Sequence, residues 1–307
     1  MALDQKRLQH LLAIARTGSL GQAAASLGVS QPALSTSVAL LEKAVGGAVL
    51  VRSRRGAKLT PLGEILLHHA RAMELLLDRA GKETELFLAD VRGPLVIGAS
   101  PVAAASIVPA TILHIERTLP RLAVTVLEGV DDDMIARLTT GEIDLLISPL
   151  GRGHLLPDIE ETPLVSGPMT VIMRPSNPLA RHRTLKFDQL MKAEWVLPIL
   201  GSALRRRLEA VFLLAGVSLP AHTVATNSIS GVKALVRRSD RVAIMAKEMA
   251  EPELISNELV ALPIADERFV QTLGMKRWKH HPTSPASVCF MEAITEITKT
   301  RSNRPKR

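Results

Sequence analysis

The chain has 307 residues, of which 47% are hydrophobic and 22% charged, and its formal net charge is +8 at pH 7. This length and balance fit about two globular domains and exclude a disordered or collagen-like chain. The single cysteine excludes an intramolecular disulfide and a cysteine-based zinc site. No apolar run reaches the roughly 18 residues of a membrane span, and the charged N-terminus lacks a secretion signal, so we expect a cytoplasmic protein.

The positive charge is concentrated at the two ends of the chain. Residues 1–60 carry eight basic and two acidic side chains, and residues 299–307 carry five basic and no acidic ones. The long segment 93–298 is nearly neutral, with 21 basic and 22 acidic side chains. This asymmetry is typical of a nucleic-acid-binding head on a body with another role, although a basic balance also serves solubility alone.

Three helices are predicted before residue 46. Apolar side chains at helical spacing predict the first over residues 4–16, and a short second helix follows from Leu20 to Leu27. Gly28 suits a left-handed turn after it. Ser30 then caps a third helix, with Pro32 in its first turn, where proline costs no hydrogen bond.

The third helix and the segment after it carry the polar and basic side chains of the head. The helix presents hydroxyl and amide groups near its N-terminus, namely Ser30, Gln31, Ser35, Thr36 and Ser37. In a helix-turn-helix, these positions reach base edges in the major groove. Val49–Val51 and Ala57–Leu59 can pair as a hairpin, whose tip would bring Arg52, Arg54 and Arg55 to phosphates. The alternative is a three-helix bundle with a solvated basic loop.

A long helix is predicted from Pro61 to about Asp90, with Thr60 as its cap. Its broad apolar stripe has to be buried on some partner. A second copy of the same helix would give a dimer with two-fold symmetry; the alternative is that the helix packs on the body of its own chain.

From Arg92 onwards strands and helices alternate, which predicts an α/β body with a parallel sheet covered on both faces. The first series comprises Leu95–Ala99, residues 103–118, Val124–Leu127, Asp131–Thr140 and Leu145–Ser148. The second comprises Met169–Met173, Phe187–Met191, Val196–Ile199, Ala203–Ala215, Val224–Thr226, Ile229–Val236 and Val242–Met245.

Two strand ends of this body are candidate ligand sites. One is Ser100–Val102, after the first strand, and the other is Gly201 with Ser202. Each begins a helix, where free N–H groups and a hydroxyl suit an anion such as a carboxylate. The alternative is that Ser100 and Ser202 are plain helix caps. The acidic run Asp131–Asp133 would disfavour an anion nearby.

Residues 3–69 resemble the DNA-binding region of the LysR-type transcriptional regulators. The positions that carry the resemblance are Leu8, Leu11, Ala15, Gly18, Ser19, Ala23, Ala24, Leu27, Val29, Ser30, Gln31, Pro32, Ala33, Leu34, Ser35, Leu41, Glu42, Arg52, Leu59, Thr60, Gly63 and Glu64. The resemblance implies a recognition helix that includes Gln31, Pro32, Ser35 and Thr36, and phosphate contacts from Arg52 and Arg55. Leu20, Leu50 and Gly46-Gly47 depart from the family pattern at packing and wing positions.

The rest of the chain resembles, more weakly, the effector domain of the same family, whose two Rossmann-like lobes are built like periplasmic solute-binding proteins. Gly141–Leu145 and Pro163–Val165 are its clearest motifs. The resemblance implies crossings between the lobes near Val165 and Asp266. It places an effector pocket between the lobes, lined by Ser100, Pro101, Val102, Ser148, Ser202, Asn227, Ser228 and Ile229.

The resemblance gives the following domain plan: a winged helix-turn-helix over 1–60, a linker helix over 61–92, an effector domain over 93–298, and a basic disordered tail over 299–307. Lobe I would take about 93–165 and 266–298, and lobe II about 166–265. We therefore expect a ligand-responsive transcription regulator, not an enzyme, without metal or cofactor. Its expected partners are double-stranded promoter DNA, a small anionic effector, copies of itself in a dimer or tetramer, and RNA polymerase. The alternative is a solute-binding protein without a role on DNA.

Overall fold

The computed structural model describes residues 3–53, 56–150, 157–216, 219–220, 223–265 and 269–302. They form two compact units: one holds the described chain through Glu85 with Thr140–Glu142, and the other holds the remainder. No described helix is long and apolar enough to cross a membrane.

The first unit contains the three predicted helices, the hairpin and most of the long helix. Its elements are α1 (Gln5–Thr17), α2 (Leu20–Ser26), α3 (Gln31–Val45), β1 (Leu50–Ser53), β2 (Gly56–Leu59) and α4 (Pro61–Leu88). β1 and β2 pair antiparallel, with Leu50 opposite Leu59. The core lies where α1, α3 and α4 meet, around the fully buried Leu11, Leu34 and Leu41.

Local hydrogen bonds fix where these elements begin. The Ser30 hydroxyl accepts from the Ala33 amide at 3.3 Å, and the Thr60 hydroxyl accepts from the Gly63 amide at 3.0 Å, as the sequence predicts for helix caps. The Glu42 carboxylate accepts from the Val49 amide at 2.9 Å, which ties the start of the hairpin to α3. Gly63 is required by close packing, because a Cβ there would lie 2.2 Å from the Val49 carbonyl oxygen.

The second unit begins with a lobe that we call lobe I. It contains β3 (Arg92–Ala99), α5 (Pro101–Ala105), α6 (Ile107–Ile115), β4 (Leu122–Glu128), α7 (Asp131–Thr140) and β5 (Leu145–Pro149). The predicted helix 103–118 is in fact two helices that meet at Ser106. The break has a local cause, because Pro109 cannot donate a backbone hydrogen bond inside a helix. A new helix that begins at Ile107 places Pro109 in its first turn, where no such bond is needed.

A long strand, β6 (Ile159–Met173), leads into lobe II. Lobe II contains α8 (Phe187–Met191), β7 (Trp195–Leu197), α9 (Ala203–Leu214), β8 (Thr223–Ala225), α10 (Ile229–Arg237), β9 (Ala243–Ala246), α11 (Glu251–Ile255) and β10 (Val260–Pro263). Its core is centred on Trp195, whose ring meets that of Phe212 edge-on at a centroid distance of 5.9 Å. The chain returns through β11 (Val270–Trp278) to α12 (Pro285–Ser302), which packs on lobe I.

The predicted all-parallel sheet is corrected to a mixed one. β3 pairs parallel with β4 and β5, but β11 runs antiparallel to both β5 and β6. Two connections between the lobes cause this, because β6 leaves lobe I and β11 comes back beside it. The sequence predicts only the last third of β6 and neither β10 nor β11. The expected return near Asp266 falls outside the described residues.

The last helix extends into the segment expected to be a disordered tail. α12 continues to Ser302, four residues into the predicted tail 299–307. Thr298, which is buried, donates to the Ile294 carbonyl at 2.9 Å, so the helix is still packed at this point. Residues 303–307 lie outside the described part of the chain.

Candidate nucleic-acid interface and ligand cavity

The N-terminal turns of α3 place polar side chains on the surface of the first unit. Gln31, Pro32 and Thr36 are exposed, Ser35 is half-buried, and the opposite face of the helix buries Leu34. The Thr36 hydroxyl donates to the Pro32 carbonyl at 3.0 Å, which leaves its lone pairs available to a partner. A helix face of this kind offers amide and hydroxyl groups to a polar surface such as the edges of bases.

Ser37, which is half-buried like Ser35, also contacts α1. Its hydroxyl forms a hydrogen bond of 2.7 Å with Nδ1 of His10 in α1, and His10 is buried. Burial, assisted by the charge of Lys6, lowers the pKa of His10, so its imidazole is neutral at neutral pH. The Ser37 hydroxyl therefore contributes to the packing of α3 on α1, and its expected role in DNA binding stays a prediction.

The hairpin after α3 has the form expected of a wing. Arg52 lies in β1 opposite Ala57, and the exposed Lys58 lies in β2 opposite Val51. The Arg52 side chain, and Arg54 and Arg55 entirely, lie outside the described residues, so their predicted phosphate contacts stay predictions.

The second unit contains a cavity between its lobes, which we call the interlobe cavity. It encloses about 820 Å³ with its open mouth included. Lobe I borders it with residues 100–102, 129–130 and 149, and β11 borders it with Gln271. Lobe II supplies a mostly aliphatic wall that includes Met169, Val196, Leu204, Val232, Met245 and Met249. Val102 packs against the cores of both lobes.

Six of the nine predicted effector-binding residues border this cavity. They are Ser100, Pro101, Val102, Ser202, Asn227 and Ile229. The other three do not. Ser148 is fully buried beside Pro149, Ser228 caps α10 by accepting from the Gly231 amide at 3.1 Å, and Gly201 is exposed.

The hydroxyls around the cavity differ in their hydrogen bonding. Ser202 is a true helix cap: its hydroxyl accepts from the Arg205 amide and donates to the Ile199 carbonyl, both at 3.1 Å. Ser100 stands at the N-cap position of α5 but makes no capping hydrogen bond. The buried hydroxyls of Ser100 and Ser148 have no hydrogen-bond partner in the described structure. The alternative that these serines are plain caps therefore holds for Ser202 and fails for Ser100.

The charges near the cavity are paired with each other. Between the lobes, Arg206 of lobe II lies 3.4 Å from a carboxylate oxygen of Asp132 in lobe I, and it donates to the Gly201 carbonyl at 2.8 Å. We call Arg206 and Asp132 the interlobe pair. Behind the aliphatic wall, Lys233 binds Glu253 at 2.8 Å. No lysine, arginine or histidine of the described residues borders the cavity, so the expected anionic effector gains no electrostatic support.

Most of the aliphatic wall is not predicted by the sequence. The three methionines come from β6, β9 and the turn after it, and only the fold brings them together. Gln271 was missed because β11 itself was not predicted. Within the described part of the chain, no group of three histidine, cysteine or acidic side chains could hold a metal ion.

Each of the two units is similar to a known protein family. Residues 5–64 match the family described as "Bacterial regulatory helix-turn-helix protein, lysR family", and residues 89–299 match the "LysR substrate binding domain". Among similar proteins, the HTH-type transcriptional regulator GalR of Pseudomonas putida is 29% identical over 95% of this chain and 73% of its own length. The regulator GbpR of Azospirillum brasilense is 29% identical over 98% of this chain and 89% of its own length.

Solved structures share the fold at lower identity. Full-length CbnR in complex with its target DNA superposes with a TM-score of 0.67 at 21% identity, and the match covers 96% of this chain and 99% of that one. The two family matches together span most of the described residues, in the order that the two units require. This chain therefore belongs to the LysR family of DNA-binding transcriptional regulators.

Proposed function

We propose that α3 enters the major groove of promoter DNA and that Gln31, Ser35 and Thr36 are its base-reading residues. The observation that carries this proposal is the exposed polar face of α3, which begins at the Ser30 cap beside Pro32. Glutamine can bind adenine through two hydrogen bonds, and hydroxyls can bind either a base or a phosphate.

The hairpin between β1 and β2 supplies the sequence-independent part of the affinity. Arg52, Arg54 and Arg55 are concentrated at its tip in the sequence, and Lys58 is exposed on β2. Arginine and lysine neutralise phosphates and release counterions, so binding should weaken steeply as salt is added.

The functional unit is a dimer formed through α4, and two dimers associate into a tetramer. Ile65, Leu76 and Phe87 are spaced eleven residues apart, so they lie on one face of this helix, and they are 58%, 56% and 81% exposed. Apolar side chains in such a row are typical of a helix that pairs with another copy. Two-fold symmetry would then match a DNA site with two related halves.

A small-molecule effector binds in the interlobe cavity and shifts the population of lobe arrangements. This role is supported by the position of the cavity between two separate cores, which are connected by the paired strands β6 and β11 and by Val102. A solute-binding protein would use the same cavity, but the helix-turn-helix unit favours a regulator in contact with DNA, in the cytoplasm, with RNA polymerase as a further partner.

Selection of binding sites from random duplexes by the full-length protein, followed by fluorescence anisotropy, tests the DNA interface. Gln31→Ala should reduce discrimination at one base position by about 1–3 kcal/mol. Arg52→Ala should weaken all sequences alike and lower the salt slope by about one. Gln5→Ala, which removes an exposed glutamine at the start of α1, is the matched control. Equal loss of base preference in the Gln31 and Arg52 variants would contradict this division of roles.

Sedimentation of the same protein tests the dimer. Ile65→Asp with Leu76→Asp should yield monomers, while Lys82→Asp, on an exposed part of α4 outside the apolar row, should leave the assembly intact. An unchanged sedimentation coefficient in the first variant would exclude α4 as the contact.

A further inference from the structure

We propose that the effector is a mostly apolar molecule with a single uncharged head group that both donates and accepts hydrogen bonds. This inference rests on the proposed effector role of the interlobe cavity and assigns the chemistry of its occupant. It replaces the anionic effector that the sequence led us to expect.

Of the polar side chains that border the cavity, the two that are buried, Ser100 and Gln271, both lie outside lobe II. Ser100, which is 5% exposed, has a hydroxyl without a partner in the described structure, and Gln271, which is 8% exposed, contributes its carboxamide to the lining. A buried polar group that stays unpaired is costly, so the Ser100 hydroxyl favours a ligand that can pair with it, and the Gln271 carboxamide offers the same ligand a donor and an acceptor. Their combined chemistry, a hydroxyl and a carboxamide, matches a head that both donates and accepts.

Lobe II presents an apolar wall to the rest of the ligand. Its two lining hydroxyls bond within the lobe: Ser202 caps α9, and the Thr226 hydroxyl accepts from the Ser228 amide at 3.1 Å. Apart from the exposed Asn227, the rest of this wall is mostly aliphatic carbon and the thioethers of Met169, Met245 and Met249, which adapt their shape to apolar ligands.

A charged head would be poorly accommodated among the described residues. Lys233 and Lys276 each donate to the main-chain carbonyl of a lining residue, Met249 and Pro149, and each is also paired with a carboxylate, Glu253 and Glu161 respectively. Arg206 is paired with Asp132. A carboxylate moved from water into an aliphatic cavity without its own cation pays a large desolvation cost. The same cost does not apply to a primary amide, which is neutral.

Straight-chain amides and the matching acid are suitable probes. Titrations of butanamide, pentanamide, hexanamide and hexanoate into the full-length protein at pH 7.5, followed by NMR, should show binding of the amides. Each added methylene should tighten binding by roughly fourfold. Hexanoate, which has the same length as hexanamide, should bind at least tenfold more weakly than hexanamide. Equal or tighter binding of hexanoate, affinity independent of chain length, or no binding of any amide would overturn the proposal.

Two variants in the first turn of α10 test whether the amides bind in the interlobe cavity. Ile229 borders the cavity, whereas Ser230 is exposed and does not. An acid is favourable in a first helical turn, so both Ile229→Asp and Ser230→Asp should fold. The first should lower hexanamide affinity at least tenfold, and the second should leave it unchanged. Equal affinities in the two variants would place the amide elsewhere and contradict the inference.

The head-group contact has its own variant. Ser100→Ala removes the unpartnered hydroxyl and should weaken hexanamide by about two- to tenfold, the effect of one hydrogen bond. Anisotropy with a selected duplex is recorded on the same samples. Protein that binds DNA but no amide would overturn this inference alone, and protein that binds the amides but no duplex would overturn the proposed role on DNA alone.

Discussion

Removal of one buried hydroxyl should make the second unit more stable. Ser148 lies in β5 opposite Gly274, is fully buried, and has a hydroxyl without a hydrogen-bond partner in the described structure. An unpaired buried hydroxyl costs roughly 1–3 kcal/mol. Alanine removes only this group, so Ser148→Ala should raise the free energy of unfolding by about 1.5 kcal/mol.

Thermal unfolding followed by calorimetry measures this change. In a unit of about 200 residues, each kcal/mol shifts the midpoint by about 2–4 °C, so Ser148→Ala should raise it by about 3–6 °C. Thr111→Val is the matched control, because Thr111 is also fully buried but its hydroxyl donates to the Ile107 carbonyl at 2.8 Å. Losing that bond should lower the midpoint by about 2–4 °C.

The two substitutions therefore have opposite predicted signs. If Ser148→Ala lowers the midpoint as Thr111→Val does, the Ser148 hydroxyl has a partner and the reasoning from unpaired hydroxyls is refuted. The same result would also contradict the inference that the Ser100 hydroxyl is available to pair with a ligand, because Ser100 and Ser148 are both assigned an unpaired buried hydroxyl in the same way.

Three further predictions concern packing and charge. Burial lowers the pKa of His10 below its ordinary value of about 6.5, so the contribution of His10 to the stability of the first unit should be complete above that pH and should fall as pH drops through the lowered pKa. His10→Gln should therefore reduce the dependence of the thermal midpoint on pH between pH 7.5 and 5.5. An unchanged dependence would exclude His10 as the cause. Gly63→Ala places a Cβ 2.2 Å from the Val49 carbonyl oxygen and should lower the free energy of unfolding, measured by denaturant titration, by about 3 kcal/mol. Gly81→Ala has open space around it and should raise that free energy by about 1 kcal/mol. Equal effects of the two substitutions would show that α4 shifts freely at Gly63. Arg206→Gln removes the cation of the exposed interlobe pair and should change the thermal midpoint by less than about 2 °C. A larger fall would show that this pair holds the lobes together.

The N-terminal unit was predictable because its signals are local. Helical spacing, the Ser30 and Thr60 caps and the turn at Gly28 act within a few residues, and the structure has each of them where the sequence predicts. Among the predicted recognition residues, Ser37 has a contact that local signals do not predict. It lies next to Val38 and three residues after Leu34, at the edge of the buried stripe, and its contact is His10, 27 residues earlier. Only the packing of α3 on α1 identifies this contact.

The topology of the body was less predictable because it depends on contacts between distant segments. β11 reads Val-Gln-Thr-Leu-Gly-Met-Lys-Arg-Trp, a sequence with polar residues at irregular positions, and it is a strand because it pairs with β6 more than 100 residues away. Its Lys276 is buried and lies 3.5 Å from Glu161 of β6. No local sequence pattern indicates such a pair, so the sequence alone predicts a parallel sheet.

The chemistry of the expected anion site also depends on contacts between distant segments, and the anionic effector stays a prediction. In the structure, Ser202 and Ser228 use their hydroxyls on their own helices, and no basic side chain of the described residues borders the cavity. The two buried polar side chains that border the cavity, Ser100 and Gln271, lie after the end of β3 and in β11. The head group of the proposed effector would therefore contact the strands of the mixed sheet. Because β11 is one of the two strands that connect the lobes, a ligand held by Gln271 would act directly on that connection.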